Sequence, residues 1–204
     1  REVELGPIAE RHGGFDLVLI GAHDPEGMRR NTQECRRRGI PFVADPSQQL
    51  AFGDGAFIRD IIDGAQYLFT NEYESHLTEQ KTGWSADEIL DRVGVRVITR
   101  GKDGASIHRR GEPTIDVPVA QIAQAADPTG VGDAFRAGFL AGLSWQLELE
   151  RCAQLGSVLA AHVIETVGTQ EYVLEAPAFL DRFRAAYGDA AAGEVAAHLR
   201  DRRS

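Results

Sequence analysis

Cysteine is nearly absent: Cys35 and Cys152 are the only two in 204 residues. They stand far apart in helical-looking stretches, which excludes a disulfide framework and points to two buried thiols in a reducing, cytoplasmic setting. Long apolar runs are missing as well. No stretch approaches the ~18 consecutive apolar residues of a membrane span, and Arg1-Glu2-Val3-Glu4 lacks the charged-then-apolar layout of a secretory signal. Basic charge is in deficit, 22 Lys and Arg against 31 Asp and Glu, a net charge of -9. That balance offers no concentrated basic face for nucleic acid. It leaves nucleotides open, because a few backbone N–H groups hold a phosphate on an acidic protein. The histidines, His12, His23, His76, His108, His162 and His198, show no ligand spacing, so none is expected to bind zinc. Trp84 and Trp145 read as packing residues. No internal repeat, low-complexity tract or linker interrupts the chain, which is therefore read as one domain over 1–204. A chain of this length buries roughly 70% of its unfolded surface and needs no staple to fold.

What is present is an alternation of strand-like and helical segments, the pattern of an α/β fold with a largely parallel sheet. Asp16–Ile20 reads as a buried strand. Asp24 is placed to cap a helix that has Pro25 at its first position, runs to about Arg38 and stops at Gly39. Pro41–Asp45 is the next strand, followed by a helix near Ile58–Ile62. Tyr67–Thr70 and Val95–Thr99 repeat the strand theme, and Arg100–Gly104 turns the chain. Ala105–His108 and Thr114–Val117 suggest a hairpin, closed by Pro118, which cannot donate to a ladder. Gly132–Leu143 and Ala153–Val167 read as buried helices. The Ala-rich tail from Ala176 to Arg200 reads as a covering helix pair.

The most informative stretch is Asp127-Pro128-Thr129-Gly130-Val131-Gly132-Asp133-Ala134-Phe135. Two glycines flank one small residue just before a helix. Such a backbone turns tightly and presents N–H groups outward, and the helix adds its unpaired donors and positive dipole end. Together they form an anion pocket. Asp133 would repel a phosphate merely held there, but it makes sense as a base taking a proton from a substrate hydroxyl. A plain helix cap at Asp133 with a tight glycine turn would explain the same spacing.

Asp127–Gly142 resembles the C-terminal signature of the ribokinase-like (PfkB) carbohydrate and nucleoside kinases. The resemblance implies a three-layer α/β/α sandwich, with Gly130, Val131 and Gly132 as the anion hole and Asp133 as catalytic base. The family often carries Ala where Val131 stands. Asn71-Glu72-Tyr73-Glu74, by itself a capping-box pattern, matches the family's Asn-x-x-Glu motif, which organises hydrated Mg²⁺ and phosphates; this assigns Asn71 and Glu74. Thr99-Arg100-Gly101-Lys102-Asp103-Gly104 resembles the family's Thr-x-Gly-x-x-Gly turn and puts Thr99, Gly101 and Gly104 at the ATP site. Gly168-Thr169-Gln170 resembles the loop that, with Asp127 and Thr129, holds a monovalent cation such as K⁺ in many relatives; an ordinary helix-ending turn is the alternative.

Asp45-Pro46-Ser47-Gln48-Gln49-Leu50, with Ile20–Pro25, Tyr67–Glu74 and Lys81–Ser85, is similar to the ribokinase-like adenosine kinases of actinobacteria. There the glutamines reach the nucleoside, so Gln48 and Gln49 are the implied substrate contacts. The resemblance covers the chain through about Gln170 and corresponds to the C-terminal two thirds of the family's length. The family's Gly-Gly-x-x-x-Asn sugar motif has no counterpart, since Gly13-Gly14 is followed by Phe15 and Val18 stands where Asn should be. The lid strands through which relatives dimerise are missing too. The expected activity is ATP- and Mg²⁺-dependent phosphorylation of adenosine to AMP, by a parent enzyme of which this chain is a truncated form. A PfkB sugar kinase for ribose or fructose, or an inactive nucleotide-binding fragment, are the alternatives.

Overall fold

The computed structural model describes residues 4–200. They group into two compact units: residues up to Thr99 together with Ser106–Thr114, and Arg100–Ala105 together with residues from Ile115 onward.

The first unit alternates strand and helix as its sequence predicts. It holds α1 (Leu5–His12), β1 (Val18–Ile20), α2 (Pro25–Arg38), β2 (Phe42–Ala44), α3 (Gln49–Phe52), α4 (Gly55–Ile62), β3 (Tyr67–Asn71), α5 (Glu72–Thr82), α6 (Ala86–Leu90), β4 (Val95–Thr99) and, from Ser106 on, β5 (Ala105–His108). The strands follow chain order from β1 to β5. The pairs β1–β2, β2–β3 and β3–β4 are all parallel, with Ile20 opposite Ala44, Ala44 opposite Leu68, and Asn71 opposite Thr99. A parallel sheet is covered on its faces, so its strands read as apolar runs rather than alternating ones; all three residues of β2 are buried. Met28, Cys35, Phe42, Leu50, Ile58, Ile61, Ile62, Leu68 and Ile89 form the core against these strands.

Local signals act as read at α2, where the Asp24 carboxylate accepts from Gly27 N at 2.8 Å and the helix ends at Gly39. Helix α1 has no side-chain cap at its own N-terminus. Its first amides, Leu5 N and Gly6 N, donate at 3.0 and 2.9 Å to the buried carboxylate of Glu34 on α2. Burial pushes Glu34 up, but those two N–H groups and the Arg38 guanidinium outweigh it and hold the carboxyl below its ordinary range. Gly13 and Gly14, the pair that lacks the following Asn of a Gly-Gly-x-x-x-Asn motif, close α1 at positive φ.

The second unit holds β6 (Ile115–Val117), α7 (Val131–Ser144), α8 (Leu149–Ile164) and α9 (Ala176–Arg200). Gly188, at φ 88° and ψ 170°, breaks α9 into the expected pair of helices. Phe179, Phe183, Ala191, Ala192 and Val195 of α9 pack on Leu155, Val158 and Ala161 of α8. Helices α7 and α8 approach most closely at glycines: a side chain at Gly138 would begin 2.7 Å from the Gly156 Cα, and one at Gly156 would begin 2.5 Å from the Phe135 carbonyl. This packing fixes the start of α7, and with it the turn described next.

Both cysteines are buried and free. Burial pushes the Cys35 thiol up to about 11 and the Cys152 thiol to about 12, so neither is a thiolate at neutral pH. Among the described residues no helix is long and apolar enough to cross a membrane.

Candidate functional site

In the second unit, the turn before α7 is held from three sides by hydrogen bonds. Ala126 N and Asp127 N both donate to the Ile164 carbonyl that ends α8, at 2.7 and 3.2 Å. The Asp127 carboxylate then accepts Thr129 N on one oxygen at 2.9 Å and Gly168 N on the other at 3.1 Å. Asp127, Thr129 and Gly168 are thus brought together, with both carboxylate oxygens engaged by backbone N–H groups. Gly130 follows at φ 81° as the N-cap residue, and a side chain there would begin 3.0 Å from the Thr169 methyl. Left-handed backbone and close approach together account for glycine at this position.

No side chain caps α7. Asp133 is its third residue, and its carboxylate does not reach back to the helix amides; it pairs instead with Arg136, Nη2 to Oδ1 at 2.6 Å. The capping alternative for Asp133 is therefore corrected: Gly130 caps, and Asp133 stands 81% exposed at an N-terminus whose dipole and donors remain available to an anion.

The carboxyl of Asp127 is held below the usual aspartate range by the Thr129 side chain and N–H and by Gly168 N–H. A depressed folded value means the clamp is complete above the ordinary aspartate range and opens as pH falls through the folded value. The Gly168 amide resonance is expected to titrate in that acid window, below the usual aspartate range, and Asp127→Ala is expected to abolish the titration. A Gly168 amide indifferent to both would remove the clamp.

The second glycine turn of this unit is a single 3₁₀ turn, Gly101–Asp103. Arg100 N donates to the Gly104 carbonyl at 2.7 Å, and Arg100 pairs with Asp116 at 2.8 Å. Gly104, at φ 86°, lies so close to β6 that a side chain would begin 2.1 Å from the Val117 carbonyl. Arg100 is thus engaged with the protein rather than simply solvated.

In the first unit the remaining candidates lie at the carboxyl ends of the parallel strands, the edge at which open α/β sheets bind ligands. Asn71 ends β3 directly beside Thr99 at the end of β4. Asn71 and Glu74 form a reciprocal capping box: Glu74 N donates to Asn71 Oδ1 and Asn71 N to Glu74 Oε2, both at 2.8 Å. One Glu74 oxygen is left for an outer ligand, which suits a metal that keeps its waters. Among the described residues no group of three or more His, Cys, Asp or Glu forms a metal cluster.

After β2, buried Asp45 accepts the Ser47 hydroxyl at 2.8 Å, and Ser47 adopts φ 41°. Gln49 Nε2 donates to the His23 carbonyl at 2.8 Å. Gln49 therefore ties the ends of β1 and β2 together, while Gln48 is exposed. Sequence reasoning missed the Asp45–Ser47 contact and Arg136. For Arg136 a signal existed, since an acid and a base three apart share a helix face.

Three comparisons with known proteins bear on this geometry. The model of the pfkB family carbohydrate kinases matches residues 12–176. A nucleoside kinase of Methanocaldococcus jannaschii is 32% identical over 155 residues, which are 76% of this chain and 51% of that protein. The structure of the Burkholderia thailandensis nucleoside kinase in complex with inosine is similar with a TM-score of 0.82 and 38% identity, over 86% of this chain and 58% of that one. Arabidopsis thaliana ribokinase, complexed with ribose and ATP, superposes with a TM-score of 0.71 at 19% identity, over 90% of this chain and 61% of that one, a likeness of fold. The fold is thus ribokinase-like, and the chain spans about half the length of the curated relatives it matches.

Proposed function

Because the chain belongs to the pfkB family of carbohydrate kinases, we propose that it carries the phosphate-transfer part of an ATP-dependent nucleoside kinase. The acceptor atom in this reading is the nucleoside 5′-hydroxyl, with adenosine the leading candidate. The observation that carries the proposal is the uncapped N-terminus of α7, entered through a left-handed glycine and bearing one exposed carboxylate. An acceptor hydroxyl is a weak nucleophile until its proton is taken, and Asp133 supplies that base. Charge on the moving phosphoryl group is met by the amides of Gly130, Val131 and Gly132. Thr99 and the Gly101–Gly104 turn are assigned to ATP, Gln48 to the nucleoside, and Gln49 to holding the loop that carries Gln48.

Bound Mg²⁺ would neutralise phosphate charge, and Asn71 with Glu74 is the pair assigned to its waters. K⁺ is assigned to the Asp127, Thr129 and Gly168 clamp, where it would stiffen the turn. The nucleoside class is favoured over free sugars by the nucleoside kinases among the relatives, one of them in complex with inosine. The reaction is placed in the cytoplasm, where ATP and reduced thiols coexist.

The test is ADP release by the chain with Mg-ATP, offering adenosine, inosine, cytidine, ribose and fructose in turn. Nucleoside-dependent turnover is expected to exceed the sugar rates. Sugar-dependent turnover alone would replace the acceptor class. Silence with every acceptor, from a folded chain that binds ATP, would reduce the chain to a nucleotide-binding fragment.

A further inference from the structure

Asp133 poses an electrostatic problem: a polyphosphate held at the start of α7 lies beside a carboxylate of the same sign. Arg136 stands one helical turn further on, with Nη2 at 2.6 Å from Asp133 Oδ1. Exposed ion pairs at this spacing contribute little, but the two partners here are unequal. The Arg136 side chain is 17% exposed against 81% for Asp133. Its Nη1 lies 3.3 Å from where a Gly132 side chain would begin. The guanidinium is therefore folded against the second glycine of the turn instead of extending into water. A side chain at 132 would crowd the guanidinium in this seat.

We propose that Arg136 is a positioning residue for the phosphate site: it holds Asp133 by Oδ1 and cancels its charge, so that a carboxylate and a polyphosphate share one turn. The proposal rests on the phosphate-transfer reading above. It gives the second glycine a role besides freeing an amide, that of seating the guanidinium. It also leaves Asp133 Oδ2 as the oxygen outside this ion pair.

A double-mutant cycle on ADP binding, measured by calorimetry with the chain, separates this role from simple packing. Arg136→Gln is expected to weaken ADP binding about fivefold, the upper size of an exposed charge coupling. Asp133→Asn is expected to leave binding unchanged or tighter, and the double variant to bind like Asp133→Asn alone. Arg136→Lys, which keeps the charge, is expected to recover most of the loss. An arginine that only packs would cost the same in both backgrounds, and that additive result, with wild-type binding intact, would overturn this inference alone. A wild-type chain that binds no ADP would overturn the phosphate-site reading and the role of Arg136 together.

Discussion

Asp133→Asn is expected to lower the turnover number for phosphate transfer by roughly 10²- to 10⁴-fold, the usual contribution of a positioned general base. The substitution is nearly isosteric and falls on a side chain that is 81% exposed. Among the described residues it pairs with the nearby Arg136, an exposed contact, so little folding stability is at stake. The melting temperature is expected to move by less than about 2 °C, since surface changes away from special features stay within about 0.5 kcal/mol. The KM for ATP is expected to change little, because the amides of the turn are untouched. Loss of turnover without loss of ATP affinity is the signature of an interaction made only in the transition state. An Asn variant with full activity would remove Asp133 from the chemistry. A variant that loses ATP affinity in proportion to turnover would instead make the carboxylate part of the binding surface. ADP release and nucleotide calorimetry on the same preparations distinguish the three outcomes.

The elements that local rules specify were legible. Helix α2 has its cap, its first-turn proline and its terminal glycine all in sequence, and it folds over the residues expected, Pro25–Arg38. Strand β4 is β-branched at every position but Arg96 and spans Val95–Thr99 as read. The turn before α7 was recognisable because glycine at a fixed offset from a helix start has few explanations. Helix α1 was not legible, since its cap comes from Glu34, 29 residues away from Leu5. Helix α3 was missed because it is a single four-residue turn, Gln49–Phe52, whose N-cap residue, Gln48, supplies no side-chain cap. Gln49 was read as a substrate contact alongside Gln48, and only the fold shows its amide committed to the His23 carbonyl. The acceptor assignment was narrower than its support: the relatives include nucleoside kinases, and adenosine is one member of that class. For α1 and Gln49 the unreadable part is a long-range contact, which no local pattern encodes.

The largest stability effect is expected at the α7–α8 contact, and it is opposite in sign to what helix propensity predicts. Alanine is favoured over glycine in a helix interior by about 1 kcal/mol. Gly193, in α9, meets nothing within 4 Å of an added side chain, so Gly193→Ala is expected to raise stability by up to about that amount. Gly138 differs in its surroundings and not in its backbone. A methyl there would begin 2.7 Å from the Gly156 Cα, 2.7 Å from the Leu155 carbonyl and 2.8 Å from the Gly156 amide. All three obstacles are main chain of a buried helix, so no rotamer change relieves them and the helices must part. Overpacking of this kind costs about 1–3 kcal/mol, which outweighs the propensity gain. Gly138→Ala is therefore expected to lower the denaturation midpoint, and Gly138→Val to lower it further. Because α7 carries at its head the turn proposed to hold phosphate, its displacement is also expected to weaken ADP binding, which Gly193→Ala leaves unchanged. Chemical denaturation and ADP calorimetry on the three variants check both effects. A Gly138→Ala protein as stable as the wild type would mean that α7 and α8 do not meet at their glycines.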